Sequence, residues 1–327
     1  MSIDAQILTA LRSAPGGTVS GAELSQKLSI SRAAIWARIE DLRSLGYEIE
    51  ASPHLGYRLT SAPDVLHADD LFSRLGKIRV VGRDIRVFQE TTSTNDVMEK
   101  LARDGVKEGA VAFAESQTKG RGRLGRKWLS PTGKGLWFSL LLRPDLHPQQ
   151  TTQLTVATGI ALRRAIELHA GVRSEIKWPN DILLNGRKVA GILTELSAEL
   201  DHIKYVIIGV GIDVNQGAGD FPAELRSVAT SLKIETGKAL SRAALAVEVL
   251  RQLDYDYGRL VAGRFQEIAE EWEKHCTTLG QTVVIRIGDR RVRGRAESLS
   301  EDGALLLRSE HGHLESIMGG DVGIEKA

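Results

Sequence analysis

Between Lys119 and Trp128 the chain reads KGRGRLGRKW. Lys119, Arg121, Arg123, Arg126 and Lys127 share this stretch with Gly120, Gly122 and Gly125, and no acid interrupts them. Such a segment suits an anion. Glycine lets the backbone come close to a ligand, and clustered cations supply the field. The glycines spell G-x-G-x-x-G, as in dinucleotide-binding turns, and Gly120 to Lys127 nearly spells a phosphate-binding P-loop. The dinucleotide motif needs a helix opening in the glycine run, to seat phosphate at its N-terminus. Here Pro131, Gly133 and Gly135 exclude a good helix. Gly125-Arg126-Lys127 also stands where a P-loop has Gly-Lys-Ser/Thr. Two readings remain: a disordered loop that closes over a phosphate-bearing ligand, or a solvated basic loop.

Other polar clusters stand around it in order. Thr92-Ser93-Thr94-Asn95 and Glu115-Ser116-Gln117 precede it. Lys177-Trp178-Pro179-Asn180-Asp181, then Arg187-Lys188-Val189-Ala190-Gly191-Ile192, then Gly209-Val210-Gly211-Ile212-Asp213-Val214-Asn215 follow. Hydroxyl and amide side chains at a helix start can cap that helix or bind a polar ligand head. Glycines inside strands mark close approach by a ligand or another backbone.

The elements that must carry these groups fall into three stretches. Residues 1–63 predict a winged helix-turn-helix. Helices run over Ile3–Ser13, Ala22–Leu28 (behind the capping box Ser20-Gly21-Ala22-Glu23) and Arg32–Leu45, with Ser31 as the last helix's cap. Two short strands, Tyr47–Ala51 and Gly56–Leu59, flank a turn at Ser52-Pro53-His54. Residues 64–275 predict strands and flanking helices with a mixed or largely antiparallel sheet. Strands are expected over Arg86–Glu90, Ala110–Glu115, Leu136–Arg143, Lys188–Glu195 and Lys204–Asn215. Helices are expected over Thr94–Arg103 and Gln150–His169, with two more across Ser241–His275. Asn185-Gly186 is a strong hairpin signal. Residues 276–327 predict an SH3-like β-barrel of short strands. The fold class is therefore α+β.

The bulk composition narrows the function little. The chain has 327 residues, 42% of them hydrophobic, enough for two or three cores. A net charge of +1 names no partner, so any basic site is local. The lone cysteine, Cys276, excludes a disulfide within one chain. No histidine pairs with other ligands at metal spacing. With no stretch of about 20 apolar residues and no signal-peptide core at the start, a soluble cytoplasmic protein without membrane contact is expected.

The ordered set of motifs, from Thr92-Ser93-Thr94-Asn95 through KGRGRLGRKW to Gly209–Asn215, resembles the bacterial biotin–protein ligases. The likeness covers nearly the whole chain and is strongest to the bifunctional ligases that also repress biotin-synthesis genes. It implies a two-step reaction. Biotin and ATP, with Mg²⁺, give biotinyl-5′-AMP and pyrophosphate; the biotinyl group then passes to a lysine of a biotin carboxyl carrier protein. No tightly bound cofactor and no protein-held metal are implied. By the resemblance, Ser93, Thr94, Asn95 and Gln117 line the biotin head-group pocket. Arg121, Gly122 and Arg123 bind the phosphate and carboxylate, Lys188 faces the activated carboxyl, and Gly191 lies against the ligand. Lys188 and Arg123 are the catalytic candidates. Trp128 is placed near the nucleotide or in the core; Asn180 and Asp181 hold Mg²⁺ or order a turn; Phe221 to Ser231 covers the adenylate. Asp213 departs from the pattern, which expects asparagine.

The resemblance also implies a homodimer formed on adenylate binding and a palindromic operator contacted by Ser31, Arg32 and Trp36. Residues 1–62 carry six Lys/Arg and six Asp/Glu, a weak balance for DNA phosphates. The alternatives are a lipoate–protein ligase and a biotin-sensing regulator without catalysis.

Overall fold

The computed structural model describes residues 2–53 and 55–324. His54, in the turn expected between the first two strands, lies outside them. The chain forms two compact units, one of residues up to Lys77 with Ser241–Val247, the other of Ile78–Leu240 with the residues from Glu248 on.

In the first unit, α1 (Ile3–Ser13), α2 (Gly21–Leu28) and α3 (Arg32–Ser44) precede a hairpin of β1 (Glu48–Ser52) and β2 (Gly56–Ser61). Ser20 and Ser31 cap α2 and α3, their hydroxyls accepting from the Glu23 and Ala34 amides at 3.0 and 3.1 Å. Ile7, Leu8, Leu24, Ile35, Ile39 and Leu42 are fully buried as one cluster. A further helix, α4 (Ala68–Leu75), was not expected from the sequence. It is short, and its N-cap residue His67 gives no side-chain cap, so local signals are weak. Tertiary contacts hold it instead: Asp70 is buried and pairs with Arg12 of α1 and with Arg74, the latter at 2.8 Å.

The second unit is built on a seven-stranded sheet. Its strands are β3 (Asp84–Thr91), β4 (Ala110–Gln117), β5 (Gly135–Leu142), β6 (Glu175–Lys177), β7 (Asp181–Leu184), β8 (Arg187–Glu199) and β9 (His202–Asp213). Their spatial order is β3-β4-β5-β9-β8-β7-β6, and only β3 and β4 run parallel. A parallel pair needs a crossover, and α5 (Thr94–Arg103) supplies it. The sheet is mixed, as the sequence predicts. β5 is buried at every position, which marks it as central. α6 (Thr151–Ala170) packs on β8, followed in the chain by α7 (Leu232–Thr236), α8 (Arg242–Val261) and α9 (Phe265–Glu273). Arg164 of α6 ties α8 and α9 to it through Asp256 at 3.1 Å and Glu271 at 2.6 Å.

The last strands are β10 (Thr282–Ile287), β11 (Arg290–Leu299), β12 (Leu305–Arg308), β13 (Leu314–Ile317) and β14 (Asp321–Ile324). They form an antiparallel five-stranded sheet in the order β13-β12-β11-β10-β14, the small β-domain expected there. β14 was not foreseen; it is four residues long, and pairing with β10 defines it. No described helix is long and apolar enough to cross a membrane.

Candidate active site

A cavity of 280 Å³ opens where the turn before α5, the basic loop, β8, β9 and the start of β14 meet. Ser93, Thr94, Asn95, Gln117, Arg121, Gly122, Arg123, Lys188 and Gly191, distant in sequence, all line it.

One end of the cavity is a buried polar network. Ser93 caps α5, its hydroxyl accepting from the Asn95 amide at 3.3 Å. Ser93 thus caps the helix and also lines the cavity. The Thr94 amide donates to Gln117 Oε1 at 2.8 Å, and Gln117 Nε2 donates to Ser130 Oγ at 2.8 Å. The fully buried Ser139 hydroxyl, from β5, lies 2.5 Å from Asn95 Oδ1 and 2.7 Å from Thr94 Oγ1. Asn95 Nδ2 donates to Glu195 Oε2 at 2.8 Å. Gly209 on β9 leaves room for this amide, since a Cβ there would stand 2.3 Å from Asn95 Oδ1. Such a cluster presents hydroxyls and amides in fixed directions, as a small polar head group requires.

The other end is cationic. Lys188, at the start of β8, holds its Nζ 2.5 Å from Asp181 Oδ1 and 5.1 Å from the centre of the Trp128 ring. The Trp128 indole lies over two strand glycines: a Cβ on Gly211 would come within 2.4 Å of it, and one on Gly191 within 3.0 Å. Trp128 therefore lines the cavity, with Trp137 edge-on behind it at 6.4 Å. The covering segment is fastened to the same strand: the Lys188 amide donates to Val228 O and the Thr230 amide to Lys188 O, both at 2.8 Å. Phe221, Leu225 and Val228 of this segment line the cavity.

The basic loop departs from the expectation of disorder. Its two sides pair, with the Gly122 amide on Arg126 O at 2.7 Å and the Trp128 amide on Gly120 O at 2.9 Å. No helix follows Gly125; the chain runs directly to β5. Nor do its cations simply repel, because distant residues supply the acids the loop lacks. Arg121 makes two bonds of 3.0 Å to Glu195 and another to Asp96. Arg126 pairs with Asp321. Arg123 Nη1 reaches Asn180 Oδ1 and Gly320 O, both at 3.3 Å. Burial pushes the Arg123 guanidinium below its ordinary pKa, against the pull of Asp321 and Asp181.

Asp213 closes β9 at the cavity wall and is 7% exposed. Burial drives its carboxyl well above the usual range, opposed by Lys188 and by the Gln216 amide, which donates to Oδ1 at 2.5 Å. A neutral acid can donate a hydrogen bond, as an asparagine amide can.

Ser31, Arg32 and Trp36 belong to the other unit. The Ser31 hydroxyl is used by the helix cap, Arg32 is exposed, and Trp36 is 58% exposed. Sequence reasoning gave no role to Ser130, Ser139, Glu195, Asp96, Gly320 or Asp321. Nothing local marks them, since their partners lie in other elements.

A buried polar end beside a cationic, tryptophan-walled end suits a small ligand with a polar head and an anionic group. Residues 87–213 match the biotin/lipoate A/B protein ligase family, residues 4–58 an HTH domain, and residues 278–323 the biotin protein ligase C-terminal domain. The chain is 39% identical to the bifunctional ligase/repressor BirA of Bacillus subtilis over 93% of each protein. It is 31% identical to that of Escherichia coli over 94% of this chain and 93% of the relative. The fold matches the biotin protein ligase from Aquifex aeolicus, solved in complex with biotin and ATP, with a TM-score of 0.64 and 33% identity, covering 75% of this chain and all of that one. The chain belongs to the family of bifunctional biotin ligase/repressors.

Proposed function

We propose that this protein joins biotin to ATP as biotinyl-5′-AMP and transfers the biotinyl group to a lysine of a biotin carboxyl carrier protein. The observation that carries this is the two-ended cavity. Ser93, Thr94 and Gln117 stand at one end, Arg123 and Lys188 at the other, in the motifs of a family whose solved member holds biotin and ATP.

The ureido ring of biotin has one carbonyl and two N–H groups, which hydroxyl and amide side chains satisfy. In the first step a biotin carboxylate oxygen attacks the α-phosphorus and pyrophosphate leaves. In the second a lysine amine attacks the acyl carbon, loses a proton, and AMP leaves. Negative charge builds first on the α-phosphate, then on the acyl oxygen. The Lys188 ammonium, fixed between Asp181 and Trp128, stabilises both. Arg123 holds the loop over the cavity and shields the mixed anhydride from water. Among the described residues no cluster of three or more acidic, His or Cys side chains could cage a metal. Asn180 and Asp181, on the cavity wall, would hold Mg²⁺, which would offset phosphate charge.

The HTH match supports a second role in DNA binding; the further reading is repression of biotin-synthesis genes by a cytoplasmic homodimer that forms on adenylate binding and contacts a palindromic operator through Ser31, Arg32 and Trp36. On this reading residues 1–63 bind DNA, 64–275 catalyse, and 276–327 form the small SH3-like domain. Incubation with ATP, an acceptor carrier domain and labelled biotin or lipoate tests the ligase reading. Transfer from biotin alone is expected. Transfer from lipoate would favour the lipoate ligase, and no transfer from either a non-catalytic sensor.

A further inference from the structure

We propose that Glu195 is a positioning residue of the ligase reaction, joining the biotin head-group pocket to the basic loop through one carboxylate. The inference rests on the biotin-ligase reading of the cavity.

Glu195 lies on β8 opposite Ile207 of β9. Its Oε2 accepts from Asn95 Nδ2 at 2.8 Å and from Arg121 Nη2 at 3.0 Å, and its Oε1 accepts from Arg121 Nε at 3.0 Å. Two parallel N–H bonds to a carboxylate fix the guanidinium plane as well as its position. Arg121 Nη1 bonds Asp96, the neighbour of Asn95 on α5. Glu195 and Asp96 thus enclose the guanidinium from two elements. In this arrangement Arg121 holds the loop's first turn to the sheet and to α5, rather than offering an open anion site. The hydrogen bonding of Arg121 to Glu195 is also the largest cause of the raised Arg121 pKa.

The second arm of the carboxylate sets the direction of an amide. Asn95 Oδ1 faces the Ser139 hydroxyl at 2.5 Å, and its Nδ2 faces Glu195. A flipped amide would point Oδ1 at a carboxylate, so Glu195 selects the orientation. Asn95 is 2% exposed and fills the space left by Gly209, so its direction also settles how Thr94 and Ser139 meet. Glu195 itself is 37% exposed, and solvent screens the pair. Its contribution is geometric more than energetic. Whatever orders Asn95 orders Arg121 as well, and linkage makes that coupling reciprocal.

Glu195→Ala and Glu195→Gln separate the two arms. Alanine removes both. Glutamine keeps an oxygen for Asn95 and loses the paired grip on Arg121. In E195A the KM for biotin is expected to rise about tenfold, the lower range for a hydrogen bond to a charged partner. Escape of biotinyl-AMP, read as labelling of unrelated lysines, is expected to rise several-fold, with the KM for ATP within twofold. In E195Q the biotin KM is expected within twofold of wild type while escape rises as in E195A. Wild-type KM and retention in both variants would overturn the proposal. So would a joint rise of the biotin and ATP KM values, which marks general loss of shape, or a biotin KM in E195Q as high as in E195A. If the wild-type protein transfers no label from biotin, the ligase reading itself fails, whatever the variants do.

Discussion

Lys188 and Asp181 face each other from neighbouring strands, with Nζ 2.5 Å from Oδ1 and 5.1 Å from the centre of the Trp128 ring. The cation is held in place before any ligand arrives. Preorganised charge of this kind costs no rearrangement as the reaction proceeds. Lys188→Ala is expected to slow adenylate formation by about 10²–10³-fold, the loss typical of one such donor. Pyrophosphate release measures it, and circular dichroism checks that the fold persists. A wild-type rate would remove Lys188 from the mechanism.

Arg123 lines the cavity and bonds Asn180 and Gly320, residues from two other parts of the chain. Arg123→Gly removes both contacts and adds backbone freedom to the loop. Biotinyl-AMP is expected to leave the enzyme and label bystander proteins. Retention of the intermediate equal to wild type, measured by filtration after one turnover, would count against a guarding role.

The pH behaviour of Asp213 follows from its raised pKa. Between the unfolded value and the folded one, the native protein binds a proton that the unfolded chain has lost. Stability is then fully present below the unfolded pKa and falls as pH climbs towards the folded value. Asp213→Asn removes that slope. The variant is expected to melt above wild type at pH 8, with the gap closing as pH falls into the ordinary carboxylate range. Thermal melts across pH measure this. A gap independent of pH would mean that Asp213 is ionised in the native protein.

Arg32 sits at the first turn of α3, exposed beside the exposed Trp36. Arg32→Ala is expected to weaken binding to duplexes carrying palindromes from the biotin-synthesis genes and to reduce the salt slope by about one. The melting temperature is expected to stay close to wild type, because exposed substitutions shift stability by about 0.5 kcal/mol or less. Gel shifts at several salt concentrations, with and without biotin and ATP, read the effect. An unchanged salt slope would remove Arg32 from the DNA contact.

Where a residue's neighbours in sequence are also its neighbours in space, the amino-acid pattern is legible. The Ser20 and Ser31 caps, the bounds of α1 and α5, and the turn at Asn185-Gly186, with φ of 49° and 75°, are of this kind. The motif residues Ser93, Thr94, Gln117, Arg123 and Lys188 were found by resemblance, and the structure gathers them around one cavity. What the pattern did not reveal was the source of the loop's partners. Arg121 meets Asp96 and Glu195 at separations of 25 and 74 residues, and Arg126 meets Asp321 at a separation of 195. No local signal encodes such pairings; sheet order and the small β-domain decide them. Composition alone shows a loop of cations with no acid, whereas the folded chain brings acids from other elements to Arg121 and Arg126.

The anchoring of the loop by Gly320 and Asp321 has a consequence for biosynthesis. Asp321 leaves the ribosome 195 residues after Arg126. At roughly 5–20 residues per second, Arg126 waits about 10–40 s for its partner. A nascent chain stalled in β12 would carry the loop and Lys188 without these two anchors. The anchoring of the loop is thus complete only once β14, the last strand, has been made.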